Sequence, residues 1–382
     1  MLVIVSTMTP LSCFQNRFNV ACVLLGSLLL AGIANARPSE DQLEYPKYKG
    51  AKALQHEVTT DLMKLPGILG TAIGQDATGE PTLTVYVDQN GQYKSEILGI
   101  FPPRLRGVTV RTELTEKFYA YAYTPGGGGG GTTVSHTAKQ TPPIQLGTSG
   151  GWRNDLANGY CCGGTLGSLI RVNGVQYILS NYHVLEADIV NGGNGIVATT
   201  GSEVIQPGLI DARCDATKTQ TVGKLFLVKS LPNSNVDCAV AQVVSGMVNT
   251  NGSILEIGIL SSNTVAPALA QLVKKSGRTT GLTRSTITGL NATISVTYEN
   301  ECVGGTAFTK TFTNQIVIAN SRSSFLGSGD SGSLLVEDIT SKPRAIGLLY
   351  AGSSSTAIAN PITPVLTFLG SKLGGTATMV GN

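Results

Sequence analysis

One turn in the sequence presents a serine in a setting that could support nucleophilic catalysis. Ser331 lies in Gly329-Asp330-Ser331-Gly332, and a short apolar run follows it. A serine hydroxyl is a weak nucleophile at neutral pH, so it needs a base within hydrogen-bond reach and a carboxylate that orients this base. The turn by itself is also compatible with a simple hairpin loop. Other residues must therefore supply the base and the acid.

The candidate base is His183. The chain contains three histidines, of which His56 lies in an N-terminal block and His136 in a Gly/Thr/Pro-rich stretch. His183 is the only one in the part of the chain that is rich in short apolar runs. It follows a run that ends at Ser180, so we expect it on a loop held by a rigid strand.

The candidate acid is Asp237, which directly precedes the apolar run 238–241. A carboxylate at the mouth of a buried strand needs a partner, and the Nδ1–H of His183 would be one. Asp211 and Asp215 are alternatives, but their surroundings resemble loops, where aspartate usually caps or turns. The order His183, Asp237, Ser331 is one of the three known chain orders of such a triad.

The glycines beside the candidate nucleophile have a use of their own. Gly329 and Gly332 permit backbone conformations that side chains obstruct. We expect the N–H groups of Gly329 and Ser331 to converge on the oxyanion of a tetrahedral intermediate, where loss of one donor typically costs about 10²–10³ in rate. The turn does not match G-x-S-x-G, so a lipase-type elbow is not supported.

Composition favours a β-rich fold and excludes several classes of function. The 382 residues include 47 glycines, only 13% are charged, and the net charge is +3. Many glycines between short apolar runs are typical of strands joined by turns. The charge is too small to indicate binding to nucleic acid or to an anionic membrane. No HExxH or paired CxxC spacing occurs, so we expect neither a metal nor another cofactor.

The N-terminus has the features of an export signal in residues 1–36. The apolar run from Val20 to Ala34 leads into Ala34-Asn35-Ala36, an A-x-A cleavage site. The run is shorter than the roughly 20 apolar residues that a membrane span needs. We therefore expect a periplasmic or extracellular protein with no stable membrane span after cleavage. An uncleaved signal anchor is the alternative.

Three further parts follow the signal. Residues 37–122 predict a small α+β domain, with a helix over 51–65 and strands at 70–74 and 82–87. Six consecutive glycines, 126–131, indicate a flexible linker over 123–145. Residues 146–382 predict an all-β sandwich or pair of barrels, with a C-terminal helix within 361–373.

Five cysteines remain after the signal, an odd number. Export to an oxidising compartment permits disulfides. Cys238 lies in an apolar run and is expected to be a buried free thiol. A bridge from Cys161 or Cys162 to Cys214 is favoured, but spacing leaves the pairing open, including any role of Cys302.

In five segments the sequence resembles the chymotrypsin-like (trypsin-fold) serine peptidases, most closely the bacterial exported members of the alpha-lytic and narrow-leaf-like type. These segments are C-C-G-G-T-L-G at 161–167, L-S-N-Y-H-V at 179–184, D-C-A-V at 237–240, S-G-R-T-T-G at 276–281 and G-D-S-G at 329–332. They fall in the family's order, and the resemblance covers about residues 146–372. It implies a double six-stranded β-barrel, with His183 and Asp237 from the first barrel, Ser331 from the second, and a peptide or protein substrate.

The sequence also departs from the family's pattern. Ser333-Leu334 follows Gly332, where the family often has Gly-Pro. The position that sets charge selectivity in trypsin, six before the serine, is Phe325, so a preference for basic residues is not supported. The resemblance makes Phe325 and Tyr350 the candidate substrate-binding residues.

These observations predict an exported serine endopeptidase. The alternative is a non-catalytic protein-binding module on a peptidase scaffold, since a fold does not dictate a function. Residues 37–122 resemble the small pro-regions of some bacterial relatives, and cleavage within 125–144 would then be the maturation step. A permanent accessory domain is the competing interpretation. The oligomeric state is left open.

Overall fold

The computed structural model describes residues 41–120, 134–157, 160–186, 197–299 and 307–382. All of them belong to one unit, Ser39–Asn382. The predicted signal and the run of six glycines lie outside the described residues. Within these ranges, no helix is long and apolar enough to cross a bilayer.

Strands are the main regular structure of the described residues. The α-helices are α1 (Lys49–Leu62), α2 (Lys94–Ile100), α3 (Tyr182–Leu185) and α4 (Ile362–Leu373). Short 3-10 helices lie at Gln42–Glu44, Pro46–Tyr48, Leu209–Ala212, Ala216–Lys218 and Ser321–Ser323. The first strands are β1 (Ile68–Gln75), β2 (Pro81–Asp88), β3 (Arg104–Leu105), β4 (Val108–Thr115), β5 (Phe118–Ala120), β6 (Thr148–Trp152), β7 (Leu156–Ala157), β8 (Tyr160–Cys161), β9 (Gly164–Leu166), β10 (Ser168–Val172), β11 (Val175–Ser180) and β12 (Glu203–Gln206). The others are β13 (Gln220–Phe226), β14 (Ala239–Val243), β15 (Ser253–Ile254), β16 (Gly258–Ile259), β17 (Leu272–Gly277), β18 (Gly281–Tyr298), β19 (Phe308–Ala319), β20 (Leu334–Glu337), β21 (Ala345–Gly352), β22 (Thr356–Pro361) and β23 (Thr378–Met379).

The smaller of the two main sheets positions the candidate base and acid. Its strand order is β23-β10-β11-β14-β13-β12-β6-β9. Strands β11 and β14 are antiparallel, with Ser180 opposite Ala239. His183 follows the last residue of β11, and Asp237 precedes the first residue of β14. Because the two strands are antiparallel, both residues lie at the same end of this strand pair. The pairing of β11 with β14 therefore brings together two residues that are 54 positions apart.

The larger sheet carries the candidate nucleophile between β19 and β20. Its order is β17-β20-β21-β22-β19-β18-β1-β2-β4-β3, and β5 lies against β18 and β21. Because β17 also pairs with β18, the six strands β17 to β22 pair in a circuit. Among the described pairings of the smaller sheet, none joins its two ends. The predicted β-rich fold is confirmed, and closure into two six-stranded barrels stays a prediction.

The N-terminal block, residues 41–120, extends the larger sheet. Strand β1 pairs antiparallel with β18, with Gly70 opposite Ile294. The Gln55 side-chain amide donates to the Asn291 carbonyl at 2.8 Å, and the Asn291 amide donates back to the Gln55 side-chain oxygen at 2.9 Å. Strand β4 pairs in parallel with β2, as expected for strands separated by the crossover helix α2. This block therefore contributes strands and hydrogen bonds to the same sheet as Ser331.

The C-terminal helix α4 agrees with the sequence prediction. Its apolar positions Ile362, Val365 and Leu369 are buried in a core cluster shared with the strands. The helix ends at Gly374, which has φ +71°, a left-handed conformation that glycine adopts without a steric penalty. The helix is therefore held by its buried face and by a favourable C-cap.

The cysteines follow the favoured pairing. Cys161 and Cys214 form a disulfide, with Cα atoms 5.5 Å apart. Cys238 is a free thiol and fully buried. Part of the stretch expected to be a linker also packs against the protein: His136 is 5% exposed, and Ile144 is buried and bridges to Val248.

Candidate active site

His183 and Asp237 form a direct hydrogen bond. The Nδ1–H of His183 donates to Asp237 Oδ2 at 2.7 Å, because the carboxylate can only accept. The Asp237 side chain is fully buried, and that of His183 is 9% exposed. A carboxylate in this position fixes the tautomer and orientation of the imidazole and leaves Nε2 available as a base.

Four other groups hold Asp237 in place. Its Oδ1 accepts the backbone N–H of Tyr182 at 2.7 Å, and its Oδ2 also accepts the hydroxyl of Tyr298 at 3.0 Å. Its own backbone N–H donates to Asn360 Oδ1 at 2.8 Å, and its carbonyl accepts the Asn181 side-chain amide at 2.7 Å. A buried charge is tolerated only with such partners. Asp237 is therefore held through both its carboxylate and its backbone.

The two alternative acids have other partners. Asp211 accepts two hydrogen bonds from the Arg278 guanidinium, at 2.8 and 2.5 Å, and one from the Ser149 hydroxyl. Asp215 caps a 3-10 helix by accepting the backbone N–H of Thr217 at 3.0 Å. Asp215 therefore acts in local structure, whereas Asp211 joins two distant segments of the chain through Arg278 and Ser149.

The turn that carries Ser331 requires glycine on both sides. Gly329 and Gly332 each have φ +92°. A Cβ at Gly332 would also collide with Ser180 Oγ and with the carbonyl oxygen of Thr165. The Ser331 carbonyl accepts the Thr165 N–H at 2.8 Å. The turn is therefore packed directly against the strands that precede His183.

The Ser331 hydroxyl and the His183 imidazole are not hydrogen-bonded to each other. Ser331 Oγ donates to the carbonyl oxygen of Tyr350 at 3.3 Å. Within the part of the chain that the structure describes, His183 Nε2 is buried and has no hydrogen-bond partner. The candidate base and acid are thus hydrogen-bonded to each other, whereas the Ser331 hydroxyl donates to a backbone carbonyl.

The two candidate substrate-binding residues are both in the core. Phe325 is 1% exposed and belongs to the cluster that contains Tyr48 and Leu335. Tyr350 is fully buried, with its ring centroid 5.0 Å from that of Phe312. In this arrangement neither side chain lines an open cleft. Their contact with a substrate stays a prediction.

A strand of the N-terminal block lies beside these residues. Strand β5 pairs antiparallel with β21, with Ala120 opposite Ala351 and Tyr119 opposite Gly352. These positions directly follow Tyr350, whose carbonyl accepts the Ser331 hydroxyl. The edge of β21 next to the candidate nucleophile is therefore occupied by the chain itself.

Three residues of the site were missed by sequence reasoning. Tyr298 and Asn360 contact Asp237, and Lys275 forms an ion pair with Asp330, the residue before Ser331. Lys275 directly precedes the S-G-R-T-T-G segment, and this position could have indicated that it belongs to the site. No local pattern marks the other two, because they reach Asp237 through sheet packing.

No group of His, Cys, Asp or Glu in the described ranges is arranged to hold a metal ion.

Comparisons with known proteins place the chain near one family model and several solved structures. A family model described as the Nal1 C-terminal domain matches residues 231–360. This stretch is less than half of the chain, and it includes Asp237 and Ser331 but begins after His183. A comparison with proteins of curated function finds none that matches.

The solved structures are chymotrypsin-like bacterial serine proteases, the class that the motifs predict. Thermobifida fusca protease A is 17% identical, with 63% of this chain and 99% of that chain covered and a TM-score of 0.40. Cellulomonas bogoriensis chymotrypsin is 20% identical, with 63% and 99% covered and a TM-score of 0.37. Alpha-lytic protease homolog N4 is 16% identical, with 56% and 97% covered and a TM-score of 0.35.

Proposed function

We propose that the protein is an exported serine endopeptidase. The observation that carries the proposal is the 2.7 Å hydrogen bond between the His183 imidazole and the buried Asp237 carboxylate. It supplies an oriented base in the same domain as a serine on a glycine-flanked turn. This pairing of base and orienting acid is what a serine needs to become a nucleophile.

In the proposed reaction, Ser331 Oγ attacks the carbonyl carbon of a peptide bond. His183 Nε2 takes the hydroxyl proton and then gives it to the leaving amine, while Asp237 stabilises the imidazolium. Water then hydrolyses the acyl-enzyme with His183 again as the base. The N–H groups of Gly329 and Ser331 would donate to the oxyanion. The Ser331 hydroxyl must first turn from the Tyr350 carbonyl to His183.

One observation favours the second candidate, a protein-binding module without catalysis. Ser331 is 1% exposed, and its hydroxyl is engaged by the Tyr350 carbonyl. A site that stays in this arrangement would not reach a substrate. The two candidates differ in whether Ser331 reacts with an electrophile.

Labelling with a fluorophosphonate probe separates the candidates. We expect mass spectrometry of the exported wild-type protein to find the label on Ser331 and a mature N-terminus at Arg37. S331A and H183A should lose the label, and D237N should be labelled about 10³–10⁴ times more slowly. S324A and H56A alter a serine and a histidine outside the site and should label like the wild type.

Two results would overturn the proposal. Undiminished labelling of S331A would show that another residue reacts. A folded wild-type protein that is inert to the probe would favour the binding module. An N-terminus at Met1 in the exported protein would contradict the predicted signal cleavage but not the proposed role of Ser331.

A further inference from the structure

The Asp237 carboxylate receives donors from both main sheets. Tyr182 and His183 follow β11 of the smaller sheet and donate a backbone N–H and the Nδ1–H. Tyr298 is the last residue of β18 in the larger sheet, and its hydroxyl donates at 3.0 Å to the same Oδ2 that accepts from His183. Of the three donors to the carboxylate, Tyr298 alone comes from the sheet that carries Ser331.

The Tyr298 hydroxyl acts only as a donor here. The residue is 3% exposed, and burial, together with the Asp237 charge, raises its pKa well above the usual value. A hydroxyl that stays protonated next to a carboxylate donates a hydrogen bond to that carboxylate and keeps its proton. A hydrogen bond to a charged acceptor is about twice as strong as a neutral one. The contact therefore links Asp237 Oδ2 to the larger sheet.

The Tyr298 ring is held in place by other aromatic rings. Its centroid lies 6.0 Å from the His183 imidazole in an edge arrangement, and 6.3 Å from the ring of Phe312. Phe312 in turn packs against Tyr350. Ring pairs at these distances favour defined orientations. The hydroxyl thus has little freedom to leave the carboxylate.

We propose that Tyr298 is a positioning residue of the triad. Its hydroxyl holds the acid of the smaller sheet relative to the larger sheet, so that His183 Nε2 faces the turn of Ser331. The Tyr298 hydroxyl acts through Asp237, while its ring packs at the edge of the His183 imidazole. This inference rests on the proposed function of Ser331, His183 and Asp237.

The test is Tyr298→Phe, which removes one oxygen atom and keeps the ring. Tyr48→Phe is the matched control, because Tyr48 is fully buried and its hydroxyl has no hydrogen-bond partner among the described residues. Both variants are first compared with the wild type by chemical denaturation, to establish that they are folded. The saturation kinetics of fluorophosphonate inactivation then separate the maximal rate, kinact, from the probe's binding constant, KI.

We expect Y298F to lower kinact by about 10- to 100-fold, the range for loss of a hydrogen bond to a charged group, with KI unchanged. Y48F should change neither. A structural defect alone would lower the amount of active protein rather than kinact. Equal kinact values for Y298F and the wild type would overturn the inference while leaving the proposed function intact.

A second measurement does not depend on activity. The low-field proton resonance of the His183 Nδ1–H···Asp237 hydrogen bond should shift or broaden in Y298F and stay unchanged in Y48F. An unchanged resonance in folded Y298F would overturn the inference even for a protein that the probe does not label. Failure of the proposed function is seen separately, in the labelling of wild type and S331A.

Discussion

The ammonium of Lys275 lies 3.1 Å from Oδ2 of Asp330, and both side chains are fully buried beside Ser331. Asp330 also accepts the backbone N–H groups of Gly327, Thr279 and Thr280 at 2.9, 2.8 and 3.1 Å. Burial would raise the pKa of Asp330, but the Lys275 charge and these donors outweigh it and hold the pKa below its usual value. One carboxylate thus ties the turn between β17 and β18 to the turn of the candidate nucleophile.

Lys275→Met should destabilise the protein and lower its reactivity at Ser331. The change leaves a buried carboxylate without its counter-charge, which costs about 3–5 kcal/mol of unfolding free energy. Lys274→Met is the control, because the Lys274 ammonium donates to the Ile339 carbonyl at 2.7 Å and should cost about 1 kcal/mol. Urea unfolding at pH 7 and probe labelling measure both effects. Equal losses in the two variants would contradict the role of the Lys275–Asp330 pair.

Arg278→Lys should lower the free energy of unfolding more than Arg344→Lys does. Both arginines make two hydrogen bonds to one carboxylate, but the Arg278–Asp211 side chains are 7% and 10% exposed, whereas Arg344 opposite Glu337 is 32% exposed. Lysine cannot reproduce the two parallel bonds. We expect R278K to lose about 1–3 kcal/mol of unfolding free energy and R344K about 0–1 kcal/mol. A larger loss in R344K would refute the ranking.

Glu186 should make the free energy of unfolding fall as pH rises from 4.5 to about 7. Burial raises its pKa to about 7, although its carboxylate accepts the N–H groups of Val228 and Lys229 at 3.0 Å each. Between the usual pKa of 4.5 and about 7, the folded protein keeps a proton that the unfolded chain has released. Unfolding free energy therefore decreases as pH rises across this window.

Glu186→Gln tests this, because glutamine cannot ionise. The drop in unfolding free energy between pH 5 and pH 8 should shrink by about 2 kcal/mol in E186Q. Glu203→Gln is the control: the hydrogen bond from Lys224 lowers the pKa of Glu203, so its contribution does not fall over this range. A pH dependence in E186Q equal to that of the wild type would rule out the Glu186 assignment.

Cleavage within residues 126–131 should leave the N-terminal block attached. Strand β1 pairs with β18, Gln55 and Asn291 exchange two hydrogen bonds, and the Leu269 N–H donates to the Gln42 side chain at 2.7 Å. To make the cut, a recognition sequence for a specific protease is engineered into the glycine run. We expect the two fragments to co-elute in size-exclusion chromatography and to separate only in denaturant. Separation in native buffer would instead support a removable pro-region.

Much of the site was predictable because its parts are local. The runs before His183 and after Asp237 have the alternating and apolar character of strands, and β11 and β14 form there. The glycines around Ser331 indicated an unusual turn, and Gly329 and Gly332 both have positive φ. The packing of Phe325 and Tyr350 was not predictable in this way, because burial depends on which other strands cover them.

The sequence by itself determined which side chains could act as nucleophile, base and acid, and which short segments would be strands or turns. Only the tertiary structure decided which groups hold them. A buried Asp237 needs donors, but nothing in the chain near it indicates that one of them is Tyr298, which is 61 positions away. Such partners are set by strand register and by the contact between sheets. Both arise from packing over the whole unit, and no local pattern of residues records them.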